Sequence, residues 1–256
     1  MVLQATTSPH SAYILTSAAI RLSQSLGLDQ PVDDLRISAA ESEQRLNIFW
    51  TTYIMDKGIC LRYGRPSVIK DEDIAVDLPK QELNFERLPS GIRNFNTFPS
   101  LARLALLESR VYSELYSARS RTRSNAERSL SIRMLDTDLQ TWIDALPIEV
   151  RPGHNVRRDN MSFYFVSMMH LSYYNCLSAI HRASIHRNSW NSRLERVLDW
   201  NVQTYSLHSP VYSNVDICIR AARNIIDILD RFSQEGRINW IWYNFSPCLY
   251  IPMLTF

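Results

Sequence analysis

Apolar residues return along this chain at three- and four-residue steps, in runs long enough for several turns of helix. In the first run Ala12, Leu15, Ala19, Leu22 and Leu26 share a face. Ser8 and Pro9 supply its cap and first turn, and Gly27 supplies the stop. The small Ala12, Ala18 and Ala19 predict a close approach by a second helix. That second helix opens at Ser38-Ala-Ala-Glu41, which has capping-box spacing. It carries Leu46, Phe49, Trp50, Tyr53, Ile54, Cys60 and Leu61 on one broad stripe and closes at Gly64, with Pro66 just beyond.

Four more runs follow. Pro99 opens one with Leu101, Leu104, Leu107 (or Leu106), Val111 and Leu115 inward. Ser124 and Glu127 repeat the capping-box spacing ahead of Leu135, Leu139, Trp142 and Leu146, which stop at Pro147. A third long face runs through Phe163, Val166, Met169 (or His170), Tyr173, Leu177 and Ile180 to His181-Arg182 and His186-Arg187, where cations complement a helix C-terminus. The last uses Ile217 (or Cys218), Ala221, Ile225, Ile228 and Leu229. Residues 80–97 read as a loop, 118–125 as a solvated connection, and 187–212 fit no single element. No Asn-Gly stands between alternating runs. The pattern predicts an all-α fold: a single multi-helix domain of antiparallel packed helices with long interhelical loops.

Composition agrees. Only 6 glycines occur in 256 residues, where average usage would supply about 18. Phosphate-cradling loops and dinucleotide fingerprints consume glycine, so their shortage argues against those folds. The net charge of +2 gives no field that would steer the chain to nucleic acid. Arginine supplies 25 of the 28 basic residues. The apolar stretch 238–256 is broken by Asn239, Asn244, Pro247 and Pro252, which suits a buried helical hairpin rather than a membrane span. The N-terminal residues lack the charged and apolar regions of a secretory signal.

Candidate chemistry is sparse. Cys60, Cys176, Cys218 and Cys248 include no C-x-x-C and read as reduced thiols in apolar packing, in an intracellular compartment. His181 and His186 are five apart and do not share a helix face as a zinc pair would. No G-x-S-x-G or reactive-cysteine neighbourhood is present. Asp33-Asp34, and Asp136 with Asp138, lack the partner motif of a magnesium site. The triplet Asp71-Glu72-Asp73 reads either as a metal site or as the cap of a short turn meeting solvent or arginine. The 118–125 connection alternates arginine with hydroxyl residues, a composition that either binds or accepts phosphate or is simply solvated. Aromatic residues, 11% of the chain, either line a pocket between helices or fill the core.

Specific residues carry a resemblance. Ala18-Ala-Ile-Arg-Leu-Ser-Gln-Ser-Leu-Gly27-Leu28 is followed by Arg45, Phe49-Trp50, Tyr53 and Asp56, then by Gly64-Arg65-Pro66 and by Asp71-Glu72-Asp73 to Leu78-Pro79. This series resembles the fungal-specific transcription factor regulatory domain, the middle homology region of fungal zinc-cluster regulators. Leu139 to Pro147, Tyr173 to Arg182 and Cys218 to Leu229 agree more loosely. The chain departs from the family pattern at Asp29-Gln30, where His-Arg is usual, and at Lys57, where arginine is usual. The six-cysteine zinc cluster that binds DNA in such regulators has no counterpart here, so either it is encoded ahead of Met1 or the protein acts through partners.

The resemblance implies one regulatory domain over residues 1–256, open to further sequence at both ends. It implies non-catalytic control of RNA polymerase II transcription in the nucleus. Partners would be DNA through the missing module only, a small-molecule effector, and a homo- or heterodimer mate; no membrane is implied. No cofactor is expected in this chain, zinc belonging to the absent cluster. Arg45, Phe49, Trp50, Tyr53, Asp56, Gly64, Arg65, Pro66, Asp71 and Asp73 carry the motif and are assigned a structural and regulatory role. The alternative is an all-helical enzyme or small-molecule-binding protein with an aromatic-lined pocket. Independently of family, Asp56 in the last third of a helix opposes the dipole by about 0.3–1 kcal/mol, which predicts a cation partner, Arg65 or Arg45.

Overall fold

The computed structural model describes residues 9–31, 37–80, 95–154, 161–185 and 210–233. The proposed Ser8 cap, most of the 80–97 and 187–212 connections, Asp33-Asp34, His186, Cys248 and the 238–256 hairpin lie outside them. Among the described residues six helices occur and no strand: α1 (Pro9–Ser25), α2 (Ala39–Tyr63), α3 (Phe98–Val111), α4 (Asn125–Asp144), α5 (Met161–Ile185) and α6 (Pro210–Ser233). None is long and apolar enough to cross a membrane.

Local chemistry sets the helix ends. The Ser124 hydroxyl accepts from the Glu127 amide while the Glu127 carboxylate accepts from the Ser124 amide, a complete capping box. At Ser38 only the serine half forms, its hydroxyl oxygen accepting from the Glu41 amide. Gly27 and Gly64 take left-handed φ values of 63° and 62°, which a side chain with a Cβ resists. α3 continues as a π-helical turn, Tyr112–Tyr116, before a 3₁₀ turn at Arg119–Thr122 leads to α4.

Two buried clusters organise the packing. Ile20, Leu28, Phe49, Trp50, Tyr53, Ile69, Ala102 and Ala105 form one between α1, α2 and α3. The larger one joins α3, α4, α5 and α6 through residues such as Leu104, Leu135, Trp142, Met169, Ile180 and Ile225. The inward stripes read from α2 to α6 match, with Leu46, Ile54, Leu101, Leu177 and Ile228 only partly buried.

α1 is rotated from expectation. Ala12, Thr16, Ile20 and Ser23 face inward, while Leu15, Leu22 and Leu26 are exposed by 43%, 60% and 58%. Two polar tethers set the rotation. The Tyr13 hydroxyl donates to Pro66 O at 2.8 Å near one end, and Arg45 donates to Leu26 O and Gly27 O at 3.1 and 3.2 Å at the other. α1 and α2 therefore run antiparallel. α3 runs antiparallel to α4, where Trp142 Nε1 donates to Ser100 O and Arg110 pairs with Asp138. α2 and α3 point the same way: Leu46 and Phe98 line one cleft at one end, and Glu108 lies beside Gly58 at the other.

Candidate regulatory site

Past Gly64 the chain reverses and the segment Arg65–Lys80 returns along α2 as a strap. The Arg65 amide donates to Cys60 O at 2.9 Å, closing the helix. One face of α2 then pins the strap rung by rung, because residues three or four apart stack on a helix. Asp56, only 1% exposed, accepts from the Ser67 hydroxyl and from the Cys60 thiol at 3.7 Å. Buried Lys57 donates to Ile69 O at 2.8 Å and pairs with Asp71 at 2.9 Å, its ammonium 4.9 Å from the centre of the Tyr53 ring. Asp71 Oδ1 also accepts from the Tyr53 hydroxyl at 2.7 Å and from Ser109 of α3 at 3.0 Å. One turn earlier, Trp50 Nε1 donates to Asp77 O at 2.9 Å. Ala75 N donates to Asp29 O at 3.1 Å, joining the strap to the end of α1.

Burial dominates the electrostatics. It raises the Asp56 carboxyl above the usual range, against the Ser67 bond and the Lys57 charge. It pushes up the Tyr53 phenol, assisted by the Asp71 carboxylate, and the Cys60 thiol, assisted by Asp56. On α3, fully enclosed Glu108 is raised to about 8 by desolvation, opposed by Arg62.

The motif residues thus come together as a scaffold, with changes of partner. Asp56 is held by Ser67 with Lys57 alongside, not by arginine. Arg45 is eleven residues away, about 16 Å along the helix, and caps α1 instead; Arg65 is exposed. The acidic triplet forms the expected short turn, a 3₁₀ one, in which partly exposed Asp71 meets lysine and tyrosine rather than arginine. Asp73 is exposed, and Glu72 pairs with Lys70 at 3.5 Å on the surface. Phe49 is core, and Pro66 contributes its carbonyl. Sequence reasoning missed Lys57, Ser67, Ser109 and Glu108 as participants. A lone lysine one residue from Asp56, on an apolar face and in a chain with three lysines, was the available signal for the first.

Where the strap passes the start of α2 and the start of α3, it leaves a cleft of about 900 Å³ whose lining includes Leu46, Asn47, Thr51, Val76, Leu78 and Phe98. Glu43, Asp77 and Lys80 are exposed at its edge. Phe98 is its one aromatic residue among the described residues, whereas Phe49, Trp50 and Tyr53 pack against one another in the core. Among the described residues no three histidine, cysteine or acidic side chains converge as a metal site. Asp136 and Asp138 diverge to His181 and Arg110.

Residues 1–144 match the family model described as fungal specific transcription factor domain, and the chain belongs to that family. It is 37% identical over 258 residues to an ABC-transporter-regulating transcription factor of Aspergillus oryzae, and 36% identical to one of Aspergillus fumigatus. Each alignment covers 99% of this chain and 28% of the relative, so the chain spans little more than a quarter of their length. A transcriptional regulatory protein of Schizosaccharomyces pombe is 29% identical over 96% of this chain and 38% of its own. No solved structure matches the chain.

Proposed function

We propose that residues 1–256 form one regulatory domain of a fungal transcription regulator, without catalytic activity or a cofactor of its own, acting in the nucleus on RNA polymerase II transcription. DNA is engaged by a zinc-cluster module outside this stretch. The observation that carries the reading is the strap: Trp50, Tyr53, Asp56 and Asp71 of the motif, with Lys57, fix it to α2 and α3, while Arg45 ties α2 to the end of α1, and together they shape the adjoining cleft. Such a cleft suits a partner segment or an effector, which shifts the domain only by its differential affinity for two states. The two Aspergillus relatives support ABC-transporter genes as the targets.

Deleting the gene and measuring transcripts tests the target. Loss or gain of ABC-transporter messages is expected, and an unchanged set would refute it. Fusing residues 1–256 to a heterologous DNA-binding domain tests the module itself; a reporter that does not respond, in either direction, would refute the regulatory reading.

A further inference from the structure

The connection between α3 and α4 places hydroxyl residues behind arginines in a regular series: Arg119-Ser120-Arg121-Thr122-Arg123-Ser124. The three hydroxyls are not equivalent. Ser120 is buried and donates to Ser117 O at 2.8 Å. Thr122 lies inside the 3₁₀ turn and donates to Arg119 O at 2.9 Å. Ser124 is exposed, and its backbone is extended at φ −65° and ψ 162°, following Arg123 at φ −69° and ψ 146°. Ser124 and Arg123 are already extended, and once the single 3₁₀ turn carrying Arg121 and Arg119 opens, arginines one, three and five residues ahead of the acceptor suit the acidic substrate groove of a basophilic protein kinase, where guanidinium forks pair bidentately with carboxylates.

We propose that Ser124 is a phosphorylation site for such a kinase. The serine oxygen attacks the γ-phosphorus of ATP, a new O–P bond forms as the bond to ADP breaks, and the hydroxyl proton leaves to the kinase base. The product changes the connection. A phosphate carries about −1.5 to −2 charges at neutral pH and takes the place where the Glu127 carboxylate now accepts from the Ser124 amide and hydroxyl at 2.8 and 2.7 Å. Two anions cannot share that end of α4, so Glu127 is expelled. The phosphate then competes for Arg123, now bonded to Ser131 at 3.1 Å, and for Arg128, now holding Leu115 O and Ser120 O at 3.2 and 3.3 Å. Those two arginines tie the end of α3 to α4.

The test incubates the chain with ATP and the catalytic subunit of cyclic-AMP-dependent protein kinase, mapping phosphate by tandem mass spectrometry. Phosphate is expected on Ser124, absent in Ser124→Asn, which retains a good N-cap, and at least tenfold slower in Arg121→Ala. No incorporation, incorporation at Thr122 in its place, or a rate indifferent to Arg121→Ala would overturn the proposal. The bonds from Ser124 now hold the Glu127 carboxyl below the ordinary glutamate range; its NMR titration midpoint is expected to rise in the phosphorylated chain, and an unmoved midpoint would overturn the displacement.

Discussion

Gly58 and Gly64 stand six residues apart and should respond to a methyl group in opposite ways. At Gly58 an added Cβ meets Arg62 Nη2 at 3.5 Å and Glu108 Oε2 at 3.6 Å, ordinary contact on a helical backbone. Gly58→Ala should therefore stabilise by about 0.5–1 kcal/mol through helix propensity. Gly64→Ala meets nothing within 4 Å but inherits a φ of 62°, and should destabilise by about 1 kcal/mol. Urea midpoints of the two variants, moving apart around the parent, check both. Glu108 offers a second test. Its carboxyl ionises near 4.5 in an unfolded chain and about 8 in the fold. Between those values the fold keeps a proton that the unfolded chain has given up, so this contribution is complete below 4.5 and is lost as pH rises through 8. Between pH 5 and 8.5 the parent should lose roughly 3–5 kcal/mol relative to Glu108→Gln. Parallel curves for the two proteins would refute the assignment. Lys57→Met strands Asp71, which remains 34% exposed, and should cost about 3 kcal/mol in the same urea assay, the low end for a broken buried pair.

At the scale of elements, α4, α5 and α6 meet at one histidine. His181 of α5 lies between Asp136 of α4 at 3.1 Å and Asn214 of α6 at 2.7 Å. The Ser184 hydroxyl donates to His181 O and so accepts from Asn214 Nδ2, which turns the Asn214 carbonyl oxygen toward the ring. Both ring nitrogens thus face acceptors. His181→Leu removes both bonds from a buried position, and hydrogen exchange should show α6 amides losing protection by tenfold or more while α1 and α2 amides change little; uniform loss would argue against a local clamp. The sequence identified His181 as a cation near a helix end and excluded it from a zinc pair with His186, but named no partner for it. Spacing along α5 says nothing about which residues of other helices arrive opposite it. α1 teaches the same lesson. Its periodicity indicated the face of Leu15, Leu22 and Leu26, whereas the face that is buried was set by Tyr13 and Arg45, whose partners are carbonyls far along the chain.

Across the whole molecule, α3 belongs to both clusters, giving Ala102 and Ala105 to one and Leu104, Leu107 and Val111 to the other. Shared walls couple cores. Phe49→Ala in the first cluster and Leu135→Ala in the second should each cost about 2–5 kcal/mol and shift a single unfolding transition; two resolved transitions would show the clusters to be independent. The all-α class was legible because each helix carries an apolar run at three- and four-residue steps, with capping serines ahead of α2 and α4 and glycine or proline stops after α1, α2 and α4. The common direction of α2 and α3 was not, since a period of 3.6 residues carries no arrow. The cleft was equally hidden: its walls are assembled from the starts of two helices and the end of the strap, and become neighbours only when the strap is pinned.

That shared direction has a kinetic consequence. Antiparallel neighbours can dock as soon as a short turn closes, but the partner of α2 emerges only after the 34 residues of Gly64 to Thr97 have been made. During synthesis the Phe49, Trp50 and Tyr53 side must wait, uncovered on its α3 flank, and ring closure over that length adds entropy to the barrier. The nascent α1–α2 pair therefore carries an open aromatic flank of the kind that chaperones cover until α3 arrives.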